Sequence, residues 1–233
     1  MKLSVIIPCY NEKKTIKKII DKIFQQKINL EIILVDDGSN DGTVNVIKNY
    51  KKNSRIKKIF HLKNKGKGAA IKSALSLISG DLVLIQDADL EYNPKDYNKI
   101  LDKFKKNKNI KAVYGSRALN KNNYQGQMTL VRVIRIIGNK ILTLFSNFIN
   151  SQHLTDAHTC YKSFRTETFK KLVLKEDGFS FCAEVNAKLS RMNVNIKEVP
   201  ISYNGRTIAE GKKIRFKDFF LAIKATIIYR FFY

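Results

Sequence analysis

The stretch "DLVLIQDADLEYNP", residues 81–94, places two aspartates one residue apart directly after an apolar run. Side chains alternate along an extended chain, so Asp87 and Asp89 point to the same side, and Glu91 joins them if the chain stays extended. Carboxylates this close repel one another unless a positive group lies between them. Two or three oxygen donors at this spacing are what a hard divalent cation needs, with its other positions left for water or diphosphate. The stretch therefore predicts a metal site directly after a strand.

A metal would have a defined chemical role there, because a Lewis acid neutralises the charge of a departing nucleoside diphosphate. The same residues allow a purely structural interpretation, an Asp-rich turn in which Asp89 or Asn93 caps the helix that Pro94 begins. Both interpretations stay open for this stretch alone. A second acidic motif at the end of another predicted strand favours the metal.

Strand-like and helical patterns alternate over the first half of the chain. The predicted strands are "LSVIIP" (3–8), "LEIILVDD" (30–37), "IKKIFHL" (56–62), "DLVLIQDAD" (81–89) and "IKAVYGSR" (110–117), and the predicted helices are 12–24, 42–50, 68–78 and 94–104. Nearly all-apolar strands alternating with helices predict an α/β fold, a mostly parallel sheet covered on both faces. Ligands bind such sheets outside the carboxyl ends of the strands. The unusual polar motifs of this chain follow predicted strands: "PCYNE", "DDGSNDGT", "QDADLE" and "YGSR".

The pattern changes after residue 120. The sequence predicts a long basic-apolar helix (128–149), an irregular segment (151–165) and a second helix (180–191). A strand (195–203), a basic loop (204–218) and a terminal apolar helix (219–233) follow. We find no internal repeat, low-complexity linker or second-domain boundary in the sequence. A single domain over residues 1–233 is expected.

The formal net charge of +24, from 44 Lys and Arg against 20 Asp and Glu, predicts attraction to nucleotide phosphates, anionic lipid headgroups or nucleic acid. Much of the lysine lies on polar faces of predicted helices, so simple solvation is the alternative. The sequence has no aromatic RNA-binding signature or zinc-finger spacing, which argues against nucleic acid. Cys9, Cys160 and Cys182 lack metal-type spacing and indicate reduced thiols of a cytosolic protein. The apolar run of the first twelve residues is too short for a signal peptide.

Two apolar stretches, 128–149 and 219–233, contain interspersed lysine and arginine. These cations interrupt the apolar runs, so we expect neither stretch to cross a membrane. An apolar face with interspersed cations matches an interfacial helix on an anionic membrane, whereas packing on the sheet with snorkelling cations, or a dimer contact, is the alternative. The first stretch favours contact with a membrane or an acceptor; for the second, the sequence does not separate packing from membrane association.

Two further motifs carry charged side chains between strands and helices. In "DDGSNDGT", helix capping explains Asp41 and Thr43, while Asp37 ends a buried strand and can accept hydrogen bonds from a nucleobase or ribose. In "NKGKGAAIKSAL", the glycines lack the spacing of a Walker loop but can bring backbone amides and Lys67 close to phosphate. A plain helix-entry loop is the alternative for this motif.

The motifs "VIIPCYNE", "ILVDDGSNDGT", "NKGKGAAIKSAL", "GDLVLIQDADLEYNP" and "YGSR", in this order, resemble a family-two glycosyltransferase of the GT-A (Rossmann-like) fold. Within that family the likeness is to the dolichyl-phosphate mannose and glucose synthases and their bacterial polyprenyl-phosphate relatives. The resemblance is specific over residues 3–117 and looser afterwards, where "TDAHTCYKSFR" and "GRTIAEGKKIRFKD" still fit. It implies transfer of a sugar from a GDP- or UDP-sugar to a lipid phosphate at the cytosolic membrane face.

The resemblance implies a donor half over residues 1–120 that binds the nucleotide-sugar and the metal. The nucleotide-sugar contacts it implies are Pro8, Tyr10, Glu12, Asp37, Lys67, Asp87, Ala88, Arg206 and Lys213 (or Lys212). The metal, Mg²⁺ or Mn²⁺, would be held by Asp87, Asp89 and Glu91, with Glu91 at a position where several relatives carry Gln.

The resemblance also implies an acceptor half over residues 121–233, which contains the interfacial helices. Arg117, just before it, resembles the arginine that meets the acceptor phosphate. Arg132 or Arg135 would be a second clamp on that phosphate. A lipid phosphate is already ionised and needs no general base, so positioning and charge stabilisation carry the rate. A hydroxyl acceptor needs a base within hydrogen-bond reach, and Asp156 is the first candidate, with a loop cap or an arginine partner as its structural alternative. Two histidines, His153 and His158, flank it without zinc spacing and indicate loop residues.

The leading hypothesis is an inverting, metal-dependent glycosyltransferase that moves a hexose to a polyprenyl (dolichyl or undecaprenyl) phosphate, with Asp89, Arg117 and Asp156 as the catalytic candidates. Inversion is expected because no nucleophile for a covalent intermediate stands out and the family is inverting. The alternatives are a transferase of the same fold acting on a saccharide or protein hydroxyl, a basic nucleic-acid-binding module, and an inactive scaffold. We expect a peripheral enzyme, with a membrane-anchoring subunit or a homo-oligomer as further partners.

Overall fold

The apolar runs recognised in the sequence form the strands of one sheet. The computed structural model describes residues 1–50, 53–124, 129–206 and 216–233. The strands are β1 (Leu3–Cys9), β2 (Leu30–Asp36), β3 (Ile56–Phe60), β4 (Leu82–Ile85), β5 (Ala112–Ser116), β6 (Lys162–Arg165) and β7 (Ile196–Pro200). The helices are α1 (Ile16–Phe24), α2 (Thr43–Asn49), α3 (Lys67–Ser73), α4 (Tyr97–Lys106), α5 (Leu130–Asn150), α6 (Thr166–Lys170), α7 (Phe181–Arg191) and α8 (Lys217–Phe231).

The sheet is mostly parallel, as the strand–helix alternation predicts. Its order is β3-β2-β1-β4-β6-β5-β7. β1 runs parallel to both β2 and β4, β2 parallel to β3, and β5 parallel to β7. Every residue of β2 and β4 is buried, because helices cover the central strands and their side chains have no solvent-facing side. The predicted α/β fold class is confirmed.

β6 is the element that the sequence did not predict. The segment 151–165 was expected to be irregular, yet its last four residues pair antiparallel with both β4 and β5 in the interior of the sheet. The prediction was wrong because "KSFR" has no apolar alternation. Lys162 can be buried there because its Nζ donates to the Ala157 carbonyl at 2.7 Å and lies 3.8 Å from the ring centre of Tyr114. The short helix α6 follows directly and was also not predicted.

The helix starts agree with the local sequence signals. Asn93 accepts a hydrogen bond from the Lys95 amide at the 3₁₀ turn that precedes α4, and Thr129 accepts one from the Arg132 amide at the start of α5. The capping role considered for Asn93 is therefore present. Ser151 ends α5 with a φ of 52°. None of the helices in the described ranges is both long and apolar enough to cross a bilayer.

Candidate active site

The polar motifs meet at the carboxyl ends of β1, β2, β4 and β5. These four strands share one direction, because β1, β2 and β4 are parallel and β6 is antiparallel to both β4 and β5. Asp37 follows β2, the stretch that contains Asp87 and Asp89 follows β4, and Arg117 follows β5. The edge thus brings acidic and basic side chains from distant parts of the sequence together, as expected for a ligand site in an open α/β sheet.

Asp87 is paired with the first residue of α3. The Lys67 Nζ lies 2.5 Å from Asp87 Oδ1 and 3.5 Å from the Sγ of Cys160. Burial opposes the charge on Lys67, but the Asp87 carboxylate outweighs it, so the pKa of Lys67 lies well above its usual value. The loop "NKGKG" therefore delivers a permanently charged amine to the acidic stretch.

Arg206 bridges three carboxylates beside that pair. Its Nη2 lies 3.0 Å from Glu12 Oε1 and 3.1 Å from Asp89 Oδ2, and its Nη1 lies 3.2 Å from Glu12 Oε2. Glu91 lies on the remaining side, with 3.6 Å between its Oε1 and Arg206 Nε. The Tyr203 hydroxyl and the Arg206 amide donate to the two Glu91 oxygens at 2.8 and 2.9 Å. A single guanidinium thus neutralises much of the acidic cluster.

Negative charge still exceeds positive charge around Asp89. Burial, reinforced by the charges of Asp87 and Glu91, raises the pKa of Asp89 to about 7, although Arg206 acts in the opposite direction. Within the described ranges, no three or more His, Cys, Asp or Glu side chains are gathered as a metal-binding group. In this structure Glu91 contacts Tyr203 and Arg206, and its expected role as a metal ligand stays a prediction. Asp87 and Asp89 offer hard oxygen donors in a cluster with an excess of carboxylates, which fits a divalent cation that takes other ligands from a diphosphate or water.

Asp37 is held inside the protein. Its Oδ1 accepts hydrogen bonds from His61 Nδ1 at 2.7 Å and from the Lys65 amide at 2.9 Å, and its Oδ2 accepts one from the Gly66 amide at 2.8 Å. His61 Nε2 lies 2.8 Å from the Ser73 hydroxyl. In this structure Asp37 fixes the turn that leads to α3, and the expected contact with a nucleobase stays a prediction.

Arg117 and Asp156 form a two-pronged ion pair. The Nε of Arg117 lies 2.6 Å from Asp156 Oδ2, and its Nη2 lies 2.7 Å from Oδ1. The Arg117 amide and Asn139 Nδ2 donate to the same carboxylate at 3.0 and 3.1 Å. Asp156 has no exposed surface, and Arg117 outweighs the effect of burial and lowers the pKa of this carboxyl. Both oxygens are occupied, so the geometry disfavours Asp156 as a general base and agrees with the arginine-partner interpretation.

The other predicted acceptor arginines lie on the first turns of α5. Arg132 Nη2 donates to the Asn123 carbonyl at 2.6 Å, and Arg135 Nη1 donates to the Arg206 carbonyl at 3.1 Å. Arg135 thus links α5 to the residue that bridges the acidic cluster. Lys212 and Lys213 lie outside the described residues.

The remaining predicted residues lie close to the same edge. Pro8 pairs with Val35 within the sheet, and Tyr10 is half-buried directly after β1. Ala88 packs in the main apolar core. Burial, with help from the nearby Lys162 charge, lowers the pKa of His158 to about 3.

Several residues that support the site were not predicted. Gln86 donates from Nε2 to the Asp87 carbonyl at 2.9 Å, and its Oε1 accepts from the hydroxyls of Tyr97 and Tyr161. Tyr203 lies under Arg117, with 5.1 Å from the guanidinium carbon to the ring centre. Gln86 precedes the acidic pair within a buried apolar run, which is a usable sequence signal. His61, Asn139 and Tyr203 have no such signal, because their partners are set by the tertiary fold.

Comparison with known proteins identifies the family and the fold of this chain. The family model "Glycosyl transferase family 2" matches residues 4–173. Dolichyl-phosphate beta-glucosyltransferase ALG5A of Trichomonas vaginalis is 30% identical over 87% of this chain, which spans 65% of that relative's length. UDP-N-acetylglucosamine–dolichyl-phosphate N-acetylglucosaminyltransferase of Methanococcus voltae is 28% identical over 93% of this chain and 92% of its own.

Solved structures share the fold. Glucosyl-3-phosphoglycerate synthase of Mycobacterium tuberculosis, solved with Mn²⁺, UDP and glucosyl-3-phosphoglycerate, has a TM-score of 0.68 at 19% identity, with coverage of 98% of this chain and 79% of that one. The mannosyltransferase PcManGT of Pyrobaculum calidifontis, solved with GDP-Man and Mn²⁺, has a TM-score of 0.59 at 21% identity, with coverage of 85% and 54%. The family match, the mostly parallel sheet and the convergence of its polar loops lead to one conclusion: this chain belongs to glycosyl transferase family 2 and is a glycosyltransferase.

Proposed function

We propose that this enzyme transfers a hexose from a UDP- or GDP-sugar to a polyprenyl phosphate, with inversion at the anomeric carbon and with the help of Mg²⁺ or Mn²⁺. The observation that carries the choice of acceptor is the Arg117–Asp156 pair. Residues 1–120 would bind the donor and residues 121–233 the acceptor. The reaction would take place at the cytosolic face of a membrane.

The acceptor phosphate would meet Arg117. Asp156 holds this arginine by Nε and Nη2, and the Tyr203 ring supports its plane, so the guanidinium is preorganised. The Arg117 side chain is 20% exposed, and its Nη1 has no hydrogen-bond partner in the described part of the chain. A fixed, partly open cation suits an anionic nucleophile that needs no proton removed. The names of the matched relatives, which include dolichyl phosphate, support the same acceptor class.

The donor diphosphate would lie between the acidic stretch and the cations around it. Asp87 and Asp89 would hold the metal, which as a Lewis acid would stabilise the leaving diphosphate. Lys67 and Arg206 lie beside these carboxylates and would contact the same phosphates. Inversion is supported by a single displacement by the acceptor oxygen, since no side chain in the described site is poised as a covalent nucleophile.

The membrane surface would contact α5. Its fully buried residues are the polar Thr143, Ser146 and Asn150, and the partly buried Leu142 packs against α7 and α8. Its solvent side exposes large apolar residues at a spacing of three or four: Leu130, Ile134, Ile137, Ile141, Leu144 and Phe148. An apolar stripe on the outside, with Lys140 exposed beside it and a net charge of +24 on the chain, fits the surface of an anionic bilayer.

The experiment that tests the function is a transfer assay with purified protein, polyprenyl phosphate and radiolabelled UDP-glucose, UDP-N-acetylglucosamine, GDP-mannose and UDP-galactose. Label should move into the organic phase with one donor, require Mg²⁺ or Mn²⁺, and be absent with EDTA. The anomeric proton coupling of the product would report inversion. Polyprenol without phosphate is the matched acceptor control.

A hydroxyl acceptor is the alternative outcome of the same assay. Label recovered on a saccharide or protein, with none in lipid from any donor, would contradict the proposed acceptor while leaving the enzyme a family-two glycosyltransferase. Transfer to polyprenol as efficient as to polyprenyl phosphate would also contradict the role given to Arg117.

A further inference from the structure

We infer that Arg206 is an internal counter-ion that makes this site selective for a divalent metal together with a diphosphate over the free metal ion. The inference rests on the proposed donor class, a nucleoside-diphosphate sugar. It assigns Arg206 a role in the protein without donor, in addition to any contact with phosphate.

The starting observation is how completely Arg206 is engaged by acids. Its guanidinium contacts Glu12 through both Nη atoms, Asp89 through Nη2 and Glu91 through Nε. The side chain is 17% exposed, and those of Glu12, Asp89 and Glu91 are 6%, 14% and 3% exposed. Such a part-buried pairing is strong as long as every partner stays in place. The guanidinium therefore lies where the acidic stretch most needs positive charge.

A free divalent ion would compete with this arginine. The ion needs Asp89 as a ligand, and Asp89 Oδ2 accepts from Arg206 Nη2 at 3.1 Å. If Arg206 stayed, two cations would share one carboxylate; if it left, a part-buried guanidinium would lose its partners. Either way, binding of the ion alone is opposed.

A diphosphate removes this conflict, because it brings oxygen ligands for the metal and an anionic partner for the arginine. The Nε of Arg206 is buried, and at 3.6 Å from Glu91 Oε1 it makes no hydrogen bond among the described residues, so a shift of the side chain toward a phosphate oxygen would gain a hydrogen bond there without losing one. The backbone of Arg206 is fixed independently, since its amide donates to Glu91 and its carbonyl accepts from Arg135. The side chain can therefore change partners while the backbone stays anchored. Metal and diphosphate should bind with positive and reciprocal coupling.

Titration calorimetry tests this coupling. Mn²⁺ is titrated into the purified protein without nucleotide and again with saturating UDP or GDP. Blank titrations without protein correct for the Mn²⁺ that the nucleotide itself chelates. For the wild type we expect the diphosphate to tighten Mn²⁺ binding by about 5- to 150-fold, the range of a typical coupling. UMP, which lacks the second phosphate, should give much less. Arg206→Gln should bind free Mn²⁺ about fivefold more tightly than the wild type and should lose most of the coupling.

The controls separate this role from others. Arg191→Gln removes the same charge from the exposed end of α7 and should leave both Mn²⁺ affinities unchanged. Should Arg206→Gln fail to fold, Arg206→Lys, which keeps the charge but loses the forked geometry, should show an intermediate loss of coupling.

Two results would overturn the inference. If Arg206→Gln binds free Mn²⁺ no better than the wild type but loses affinity in the presence of UDP or GDP, Arg206 is a phosphate contact only. If no nucleoside diphosphate binds with Mn²⁺, both this inference and the proposed function are wrong. If the wild type couples Mn²⁺ and diphosphate binding, and Arg206→Gln loses this coupling, but no label reaches lipid, the inference is supported and only the proposed acceptor is contradicted.

Discussion

Asp87, Asp89 and Asp156 of the candidate site each lie beside a cation, and the pairs differ in what they leave exposed. Asp156 is buried and holds Arg117 from one side, so the arginine keeps an open edge. Asp87 and Lys67 are both partly exposed and can exchange partners with a ligand more easily. The first pair is therefore suited to fixed positioning, and the second to binding a mobile group.

Arg117→Ala should lower kcat/KM for polyprenyl phosphate by roughly 10²- to 10³-fold, the usual effect of removing one preorganised charge contact. The KM for the nucleotide-sugar should change little, because Arg117 lies at the end of β5 and its partners come from residues 121–233, the proposed acceptor half. Initial-rate kinetics with each substrate varied would measure this split. Equal losses for both substrates would indicate general disruption, since the variant also leaves Asp156 buried without its partner.

Asp156→Asn separates the two acceptor hypotheses. An amide can still accept from Arg117, so the lipid-phosphate hypothesis expects a smaller loss than Arg117→Ala gives. A hydroxyl-transferring enzyme that used Asp156 as its base would instead lose nearly all activity. The same initial-rate assay distinguishes these results, and thermal unfolding of both variants provides the folding control.

His61 should act as a positioning residue through Asp37. His61→Ala removes the hydrogen bond to Asp37 Oδ1, while Asp37 holds the Lys65 and Gly66 amides that lead to Lys67. We expect donor affinity to fall about tenfold, as for loss of a hydrogen bond to a charged group of about 1.4 kcal/mol. His61→Gln can donate to the same carboxylate and should restore part of the affinity. Titration with the nucleotide measures this affinity. Equal affinity of the wild type, His61→Ala and His61→Gln would contradict the positioning role of His61.

The residues of the site were predictable to the extent that their motifs are local. "DAD" and "YGSR" follow strands, so Asp87, Asp89 and Arg117 were recognised from the sequence. Arg206 and Asp156 were also named as site residues, but their pairing with Asp89 and Arg117 was not predicted, because they reach them from loops 117 and 39 residues away along the chain. Sequence spacing indicates which acids lie at an edge of the sheet but does not determine which cation each one meets.

At the scale of elements, the apolar strands that are buried on both faces were predictable, whereas the polar strand β6 was not. β1, β2 and β4 are nearly all apolar, a pattern that indicates a central parallel strand. β6 lies between β4 and β5 yet contains a lysine, a serine and an arginine, and it is stable there through contacts made by neighbouring elements. Pairing energy from both sides of a short strand can outweigh its weak local pattern.

The amino end of the sheet depends on Glu31 of β2. Its carboxylate is buried and accepts hydrogen bonds from Ser4, Ser79 and Lys2, with Lys57 3.0 Å away. Burial alone would raise the pKa of Glu31, but these hydrogen bonds outweigh it and lower the pKa well below the usual value. This stabilisation is therefore fully present above the unfolded pKa of about 4.3 and is lost as the pH falls below it.

Glu31→Gln should lower the free energy of unfolding at pH 7 by about 1–3 kcal/mol, because buried donors lose a charged acceptor. The difference from the wild type should shrink as the pH falls from 5 towards 3, because the carboxylate of the unfolded wild type takes up a proton there while the native one, with its lowered pKa, stays ionised. Urea unfolding at several pH values would measure both trends. A difference that stayed constant with pH would contradict the assignment, and Glu167→Gln on the short helix α6 serves as a matched control.

At the scale of the whole molecule, charge and apolar surface are distributed in a way that a freely dissolved enzyme does not need. Positive charge exceeds negative charge by 24, and the long helix α5 exposes a stripe of large apolar residues. The aromatic residues Phe216 and Phe220 at the start of α8 are exposed as well. An acceptor that is itself a lipid would explain why this apolar surface belongs to the part of the chain that contributes Asp156.

The protein should bind anionic vesicles through α5, and this binding should depend on both apolar contact and charge. Flotation with vesicles of phosphatidylglycerol and phosphatidylcholine should recover the wild type with lipid, and recovery should fall as salt rises from 0.1 to 1 M, because the Debye length shortens from about 10 to 3 Å. Ile137→Asp with Ile141→Asp replaces two half-exposed residues of the stripe, so the fold should persist while binding is lost. Lys108→Asp, an exposed change after α4, controls for net charge. A wild type that stays in the lipid-free fractions but forms a dimer, which the double variant converts to a monomer, would instead identify the stripe as a contact between two copies of this chain.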